Sequence, residues 1–117
     1  MIVTEEIEIT EIQHSKLPNI DFSNLPFGKV FSDHMFTALY KNGHWSELKI
    51  TPFGKLEFSP ALITLHYGQA IFEGMKAYRN DTSEVVLFRP EENSRRFNRS
   101  AERLCMPEVP EALFVEA

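Results

Sequence analysis

Residues 65–107 read LHYGQAIFEGMKAYRNDTSEVVLFRPEENSRRFNRSAERLCMP. A short apolar run, residues 61–67, ends at His66-Tyr67, and Gly68 leads into Ile71–Tyr78, whose composition predicts a strand. Asn80–Ser83 reads as a turn and Glu84–Arg89 as a second strand. Pro90 suits the first turn of a helix, where its missing N–H would have had no partner anyway. Glu91 and Glu92 follow near the positive end of the helix dipole. Phe97, Ala101, Leu104 and Cys105 recur at helical spacing and predict the buried stripe, and Pro107 stops the helix. A glycine-bearing strand followed by an arginine-crowded helix places a pocket wall of accessible backbone beside an anion site.

Outward from this stretch, Met35–Tyr40 and Trp45–Ile50 flank Asn42-Gly43. These two residues accept the positive φ angles of a type I′ turn, so a β-hairpin is predicted. Ile2–Ile9 alternates isoleucine with glutamate, the pattern of an edge strand with a charged outer face. Lys16–Pro26, punctuated by Pro18 and Pro26, reads as an extended crossing, and Thr51–Pro60 as a connection. Several strands followed by a helix predict an α+β domain, with a mainly antiparallel sheet and helices packed on it. Pro107 and Pro110 punctuate a turn before a second helix, whose apolar face would start with Leu113, Phe114 and Ala117. A helix so short is marginal alone, so the chain is expected to be a piece of a longer protein.

Composition excludes several classes. A chain of 117 residues is one domain or part of one. A net charge of −5 disfavours general nucleic-acid or membrane-surface binding. No apolar run approaches the length that spans a bilayer. The acidic start, MIVTEEIE, is the reverse of a signal peptide's basic one. Cys105 is the single cysteine, which rules out an intrachain disulfide and a cysteine-based zinc site. A cytoplasmic setting is expected.

Two groups of residues could carry chemistry. In a strand over Ile71–Tyr78, Phe72, Gly74, Lys76 and Tyr78 share one face, and Glu73, Met75 and Ala77 the other. Phe72 beside the glycine gap would form an apolar wall with a floor of bare backbone; a bulge glycine beside a core phenylalanine fits the same pattern. Arg89, Arg95, Arg96, Arg99 and Arg103 crowd the helix, with Arg96, Arg99 and Arg103 on one face. Their planar donor forks suit phosphate; a solvated face with Glu92 and Glu102 as partners is the alternative. His34 and His66 are candidate acid–base groups, although neither stands in a metal-binding or catalytic spacing, and structural roles fit both. Ser100 and Cys105 have no nucleophile elbow around them.

The blocks FGKVFSDHM (27–35), LHYG (65–68), FEGMKAY (72–78), LFRP (87–90) and NSRRFNRSA (93–101) together resemble the N-terminal part of branched-chain-amino-acid aminotransferases. These are fold-type IV pyridoxal-phosphate enzymes. The resemblance covers the chain from about Pro26 to Ala117. The FGKVFSDHM block favours the branched-chain enzymes over D-amino-acid aminotransferases and aminodeoxychorismate lyases.

The resemblance implies that residues 1–117 are a truncated small N-terminal domain, without the C-terminal domain that carries the lysine bonded to pyridoxal 5′-phosphate. It implies that Arg96 grips the cofactor phosphate, that Phe27, Phe72 and Gly74 shape the substrate side-chain pocket, and that Tyr67 reaches the active site of a partner subunit in a homodimer. The implied reaction transfers the amino group of leucine, isoleucine or valine to 2-oxoglutarate by a ping-pong route. No catalytic residue falls within the chain: Lys76 is a rim or surface lysine, and the chain alone is expected to be inactive and not to retain the cofactor. A non-enzymatic anion-binding module is the alternative outside the enzyme class.

Overall fold

The computed structural model describes residues 6–117. They fall into two compact units, one ending at Glu57 and one running over Phe58–Ala117. The elements are α+β, as the sequence predicts.

The first unit is built on the hairpin. Strands β2 (His34–Lys41) and β3 (His44–Pro52) pair antiparallel around Asn42 (φ 52°) and Gly43 (φ 82°). Both turn residues take the positive φ that a type I′ turn demands. The ladder shifts register between Thr37 and Leu39, opposite Glu47, whose φ of 51° takes up an extra residue. The bulge lies beside Leu48, the buried centre of this sheet. Tyr40 and Trp45 face each other across the ladder with ring centroids 5.2 Å apart.

Strand β1 is only Glu8–Ile9, and it pairs with β3 in parallel. The expected edge strand over Ile2–Ile9 is therefore short where it is described, and its first residues lie outside the described ones. Lys16–Pro26 is not a plain extended crossing, since Leu17–Asn19 forms a 3₁₀ turn. Asp33 pins that region: its carboxylate accepts from the Ser15 hydroxyl (2.6 Å) and the Lys16 N–H (3.0 Å). Those bonds, the hydroxyl first, lower its pKa.

In the second unit, α1 (Ile63–Tyr67) is closed by Gly68, whose φ of 64° lets its N–H reach the Thr64 carbonyl. The sheet that follows is much shorter than the sequence predicts. Only Ala77–Arg79 (β4) and Val85–Leu87 (β5) pair, with all six residues exposed. Residues 71–76 have no ladder partner, so alternation alone does not make them a strand. At the turn, the Asn80 side-chain oxygen accepts the N–H groups of Thr82 (3.0 Å) and Glu84 (2.8 Å).

Helix α2 spans Pro90–Arg103, with Pro90 in its first turn as predicted. Its inner face is Ser94, Phe97, Asn98 and Ala101, at i, i+3, i+4 and i+7. Leu104 and Cys105, expected in the stripe, are exposed: the helix ends at Arg103 and Cys105 turns left-handed (φ 54°). Helix α3 (Glu111–Glu116) packs on α2 through Phe97 and Phe114, centroids 5.7 Å apart. Asn98 fixes the join by donating to the Val109 carbonyl (2.8 Å) and accepting the Val109 N–H (2.9 Å). Leu113 is buried as expected and Ala117 is exposed.

Candidate functional site

The second unit carries four of the five residues singled out by the sequence: Tyr67, Phe72, Gly74 and Arg96. Phe27 belongs to the first unit, in the loop 17–32, where Leu17, Phe22, Leu25 and Phe31 line an apolar cleft of about 400 Å³. Its side chain is fully exposed. Tyr67, at the end of α1, is 86% exposed, and Phe72 is 90% exposed. An apolar ring this open has gained little of the burial free energy available to it, about 25 cal/mol per Å².

Gly74 meets neither condition of the structural alternative. Its φ is not left-handed, and no strand or bulge includes it. A Cβ built there would touch nothing within 4 Å. Phe72 beside it is not a core residue. What the chain presents at Phe72–Gly74 is an exposed ring next to open backbone, the kind of surface that a ligand or another chain segment can cover.

The arginines divide into two sets. Arg89 and Arg95 both pair with Glu92, at 3.3 and 2.6 Å, and Arg95 also reaches Glu111 at 3.2 Å. For these two, the solvated-face alternative holds. Arg96, Arg99 and Arg103 instead line one open cleft of about 370 Å³ with Ser100 and Glu102. Three guanidinium groups line it with one carboxylate, and with Glu73 paired to Arg96 the balance is still positive, so it fits a phosphate in charge and in donor type. The Ser100 hydroxyl donates back to the Arg96 carbonyl, 3.2 Å away, within the helix.

Arg96 is held by Glu73, a residue the sequence reading passes over. Its Nε donates to Glu73 Oε2 (2.8 Å) and its Nη2 to Glu73 Oε1, a side-on fork. Asn93, one helical turn earlier, donates to Glu73 Oε1 (2.9 Å) and to the Gly74 carbonyl (3.1 Å). The Glu73 side chain is only 7% exposed, while that of Arg96 is 60% exposed. The Arg96 hydrogen bond holds the Glu73 carboxyl down at a pKa of about 2, assisted by Asn93 and by the Gly74 N–H and opposed by desolvation. The same bond raises the Arg96 pKa. A guanidinium has five N–H donors. Glu73 occupies two of them, so the rest remain for an anion in the cleft. The sequence held a signal for this contact, because Glu73 shares its predicted face with Met75 and Ala77. A carboxylate among apolar neighbours calls for a cationic partner.

Neither candidate histidine, His34 or His66, lines the arginine cleft. His66 places its Nε2 2.5 Å from the Pro60 carbonyl at the edge of α1. His34 heads β2, and the Ser32 hydroxyl donates to its carbonyl at 2.6 Å. Asp33 beside it is engaged by Ser15 and Lys16. Lys76 is exposed.

Comparison with known proteins finds relatives of one name. A branched-chain-amino-acid aminotransferase of Helicobacter pylori is 48% identical over 101 residues, which is 86% of this chain. A branched-chain-amino-acid transaminase of Bacillus subtilis is 48% identical over 83% of the chain, and a probable branched-chain-amino-acid aminotransferase of Staphylococcus aureus is 53% identical over 80%. The chain is homologous to branched-chain-amino-acid aminotransferases. It spans 30%, 28% and 26% of the length of these three relatives. No protein-family model matches the chain. The aminotransferase relationship supports the enzyme class predicted from the sequence, and the α+β elements agree with a small domain of such an enzyme. Among the described residues, no helix is long and apolar enough to cross a membrane.

Proposed function

We propose that this chain is the N-terminal part of a branched-chain-amino-acid aminotransferase that uses pyridoxal 5′-phosphate and exchanges amino groups between leucine, isoleucine or valine and 2-oxoglutarate. The observation that carries the reading is its high identity, over most of its length, to proteins of that name. The positive cleft on α2 supports it independently.

In this reading Arg96 binds the cofactor's phosphate with the guanidinium donors that Glu73 leaves over. Each charge-assisted bond of this kind contributes about 1.5–3 kcal/mol. Fixing the phosphate fixes the ring relative to the substrate, which lowers the entropic part of the barrier. The cofactor, when bound, supplies the electron sink for proton loss at the substrate's α-carbon. Phe72 and Gly74 shape the side-chain pocket. Burial of a Val, Leu or Ile side chain there stabilises the bound substrate by about 1.5–3 kcal/mol. Tyr67, exposed at the end of α1, reaches the site of the partner subunit in a homodimer. The lysine that bonds the cofactor, and the carboxylate facing its ring nitrogen, belong to a domain outside these 117 residues.

A substrate panel on the full-length protein tests the reading. Transamination of leucine, isoleucine and valine with 2-oxoglutarate, much faster than transamination of D-alanine or release of pyruvate from 4-amino-4-deoxychorismate, is the expected result. Preference for D-alanine would assign it to a different fold-type IV enzyme. Absence of any amino-group transfer, together with salt-sensitive oligonucleotide binding, would point to an anion-binding module.

A further inference from the structure

Residues 69–76 belong to no ladder, yet they are tied to α2 at both ends. The Gln69 side chain donates to the Leu104 carbonyl (2.8 Å), and the Asn93 side chain donates to the Gly74 carbonyl (3.1 Å). The segment therefore runs antiparallel to the helix axis. The spacing is commensurate: five residues of extended chain cover roughly 17 Å, and the eleven helical residues from 93 to 104 also cover roughly 17 Å. Between these ties the only side chain of the segment that turns inward and bonds α2 with charge is Glu73, among the described residues. It receives Arg96 and Asn93 together.

This places one buried carboxylate between the two halves of the proposed site. On one side it sets the rotamer of Arg96, which lines the cleft. On the other it fixes the backbone between Phe72 and Gly74. An exposed arginine carries considerable rotamer freedom, and two parallel hydrogen bonds to a buried acceptor remove much of it before any ligand arrives. We infer that Glu73 is a positioning residue that couples phosphate binding at Arg96 to the shape of the substrate pocket at Phe72 and Gly74. The inference rests on the functional reading above for the identity of the two ligands, but the coupling itself is a property of this chain's own residues.

The opposite electrostatic effect sets the rival outcome. A carboxylate beside Arg96 also cancels part of its charge, so a residue that merely masked the arginine would hold phosphate back. Glu73→Gln separates the two, since it keeps the shape and removes the charge. In the full-length protein, Glu73→Gln is expected to weaken pyridoxal-phosphate binding about tenfold and to raise KM for leucine in the same variant. Asn93→Ala, which removes the bonds to the Gly74 carbonyl and to Glu73 Oε1 but leaves the Arg96 pair, is expected to raise KM for leucine with cofactor affinity within about twofold of wild type. Unchanged or tighter cofactor binding in Glu73→Gln would overturn the inference.

A cofactor-free measurement keeps this separate from the enzyme assignment. In a melting-temperature cycle of Glu73→Gln, Arg96→Gln and the double variant, coupled residues give a double variant that melts no lower than the worse single one. Additive losses would overturn the coupling even in an active aminotransferase. A non-additive cycle in a protein that binds no pyridoxal phosphate would leave the coupling standing and remove the enzyme reading.

Discussion

The hairpin β2–β3 and the stretch 71–87 look alike in sequence, and they fold differently. Both alternate apolar and polar residues, and both carry an asparagine at the turn. The first gives seven registered cross-strand pairs and encloses Leu48. The second gives three pairs, all exposed, and leaves residues 71–76 without a ladder. The difference lies in the turn and in the neighbours. Asn42-Gly43 is a two-residue turn that fixes register by backbone geometry. Asn80 closes a longer turn with its side chain instead. The hairpin also has β1 alongside, while the region before β4 has only α2, to which it binds through side chains. Alternation supplies the possibility of a strand, and a partner edge is needed to realise it.

Truncation at the two sheets should break the comparison most visibly. Leu48→Ala is expected to cost about 2–5 kcal/mol in urea unfolding, because it empties a buried position. Val86→Ala, on the exposed β5, should stay within about 0.5 kcal/mol of wild type. Equal losses would mean that β4–β5 is covered in the full-length protein.

The turns give the next contrast. Gly43→Val forces a β-branched residue to a φ of 82° and should cost about 1–2 kcal/mol. Ser83 already adopts a φ of 64° as a non-glycine residue, so Ser83→Gly should relieve strain and change stability by less than Gly43→Val, in the opposite direction. Thermal melts of the two variants check this.

The smallest effect is in acid. Glu73 titrates at about 2 in the folded chain against an ordinary value of 4.5. A depressed carboxylate contributes stability that is fully present above its unfolded pKa and is lost as pH falls through the folded one. Between about pH 4.5 and 2 the wild type should lose melting temperature more steeply than Glu73→Gln. Parallel curves in that window would show that the pair with Arg96 does not form in solution.

The sequence made the hairpin legible because its turn chemistry is local, and α2 because its first-turn proline, acidic first turn and periodicity are. The last turn was not, since whether Leu104 and Cys105 continue the helix depends on the left-handed step at Cys105. Of the candidate site, the one-face grouping of Arg96, Arg99 and Arg103 follows from helical spacing alone. The division of labour among the arginines does not, because it depends on where Glu92, Glu111 and Glu73 reach. Glu73 and Asn93 lie twenty residues apart in sequence; the apolar neighbours of Glu73 call for a cationic partner, but no spacing says which helix residue supplies it.

Cofactor affinity in two arginine variants tests the central claim most directly, that the α2 cleft binds the phosphate of pyridoxal phosphate through Arg96. In the full-length protein, titrated with the cofactor at fixed ionic strength, Arg96→Ala should raise the dissociation constant about tenfold or more, in keeping with the roughly 1.5–3 kcal/mol of a charge-assisted bond. Arg103→Ala, one turn further along the same face, should change it far less. Equal affinity in the two variants would contradict the assignment of Arg96.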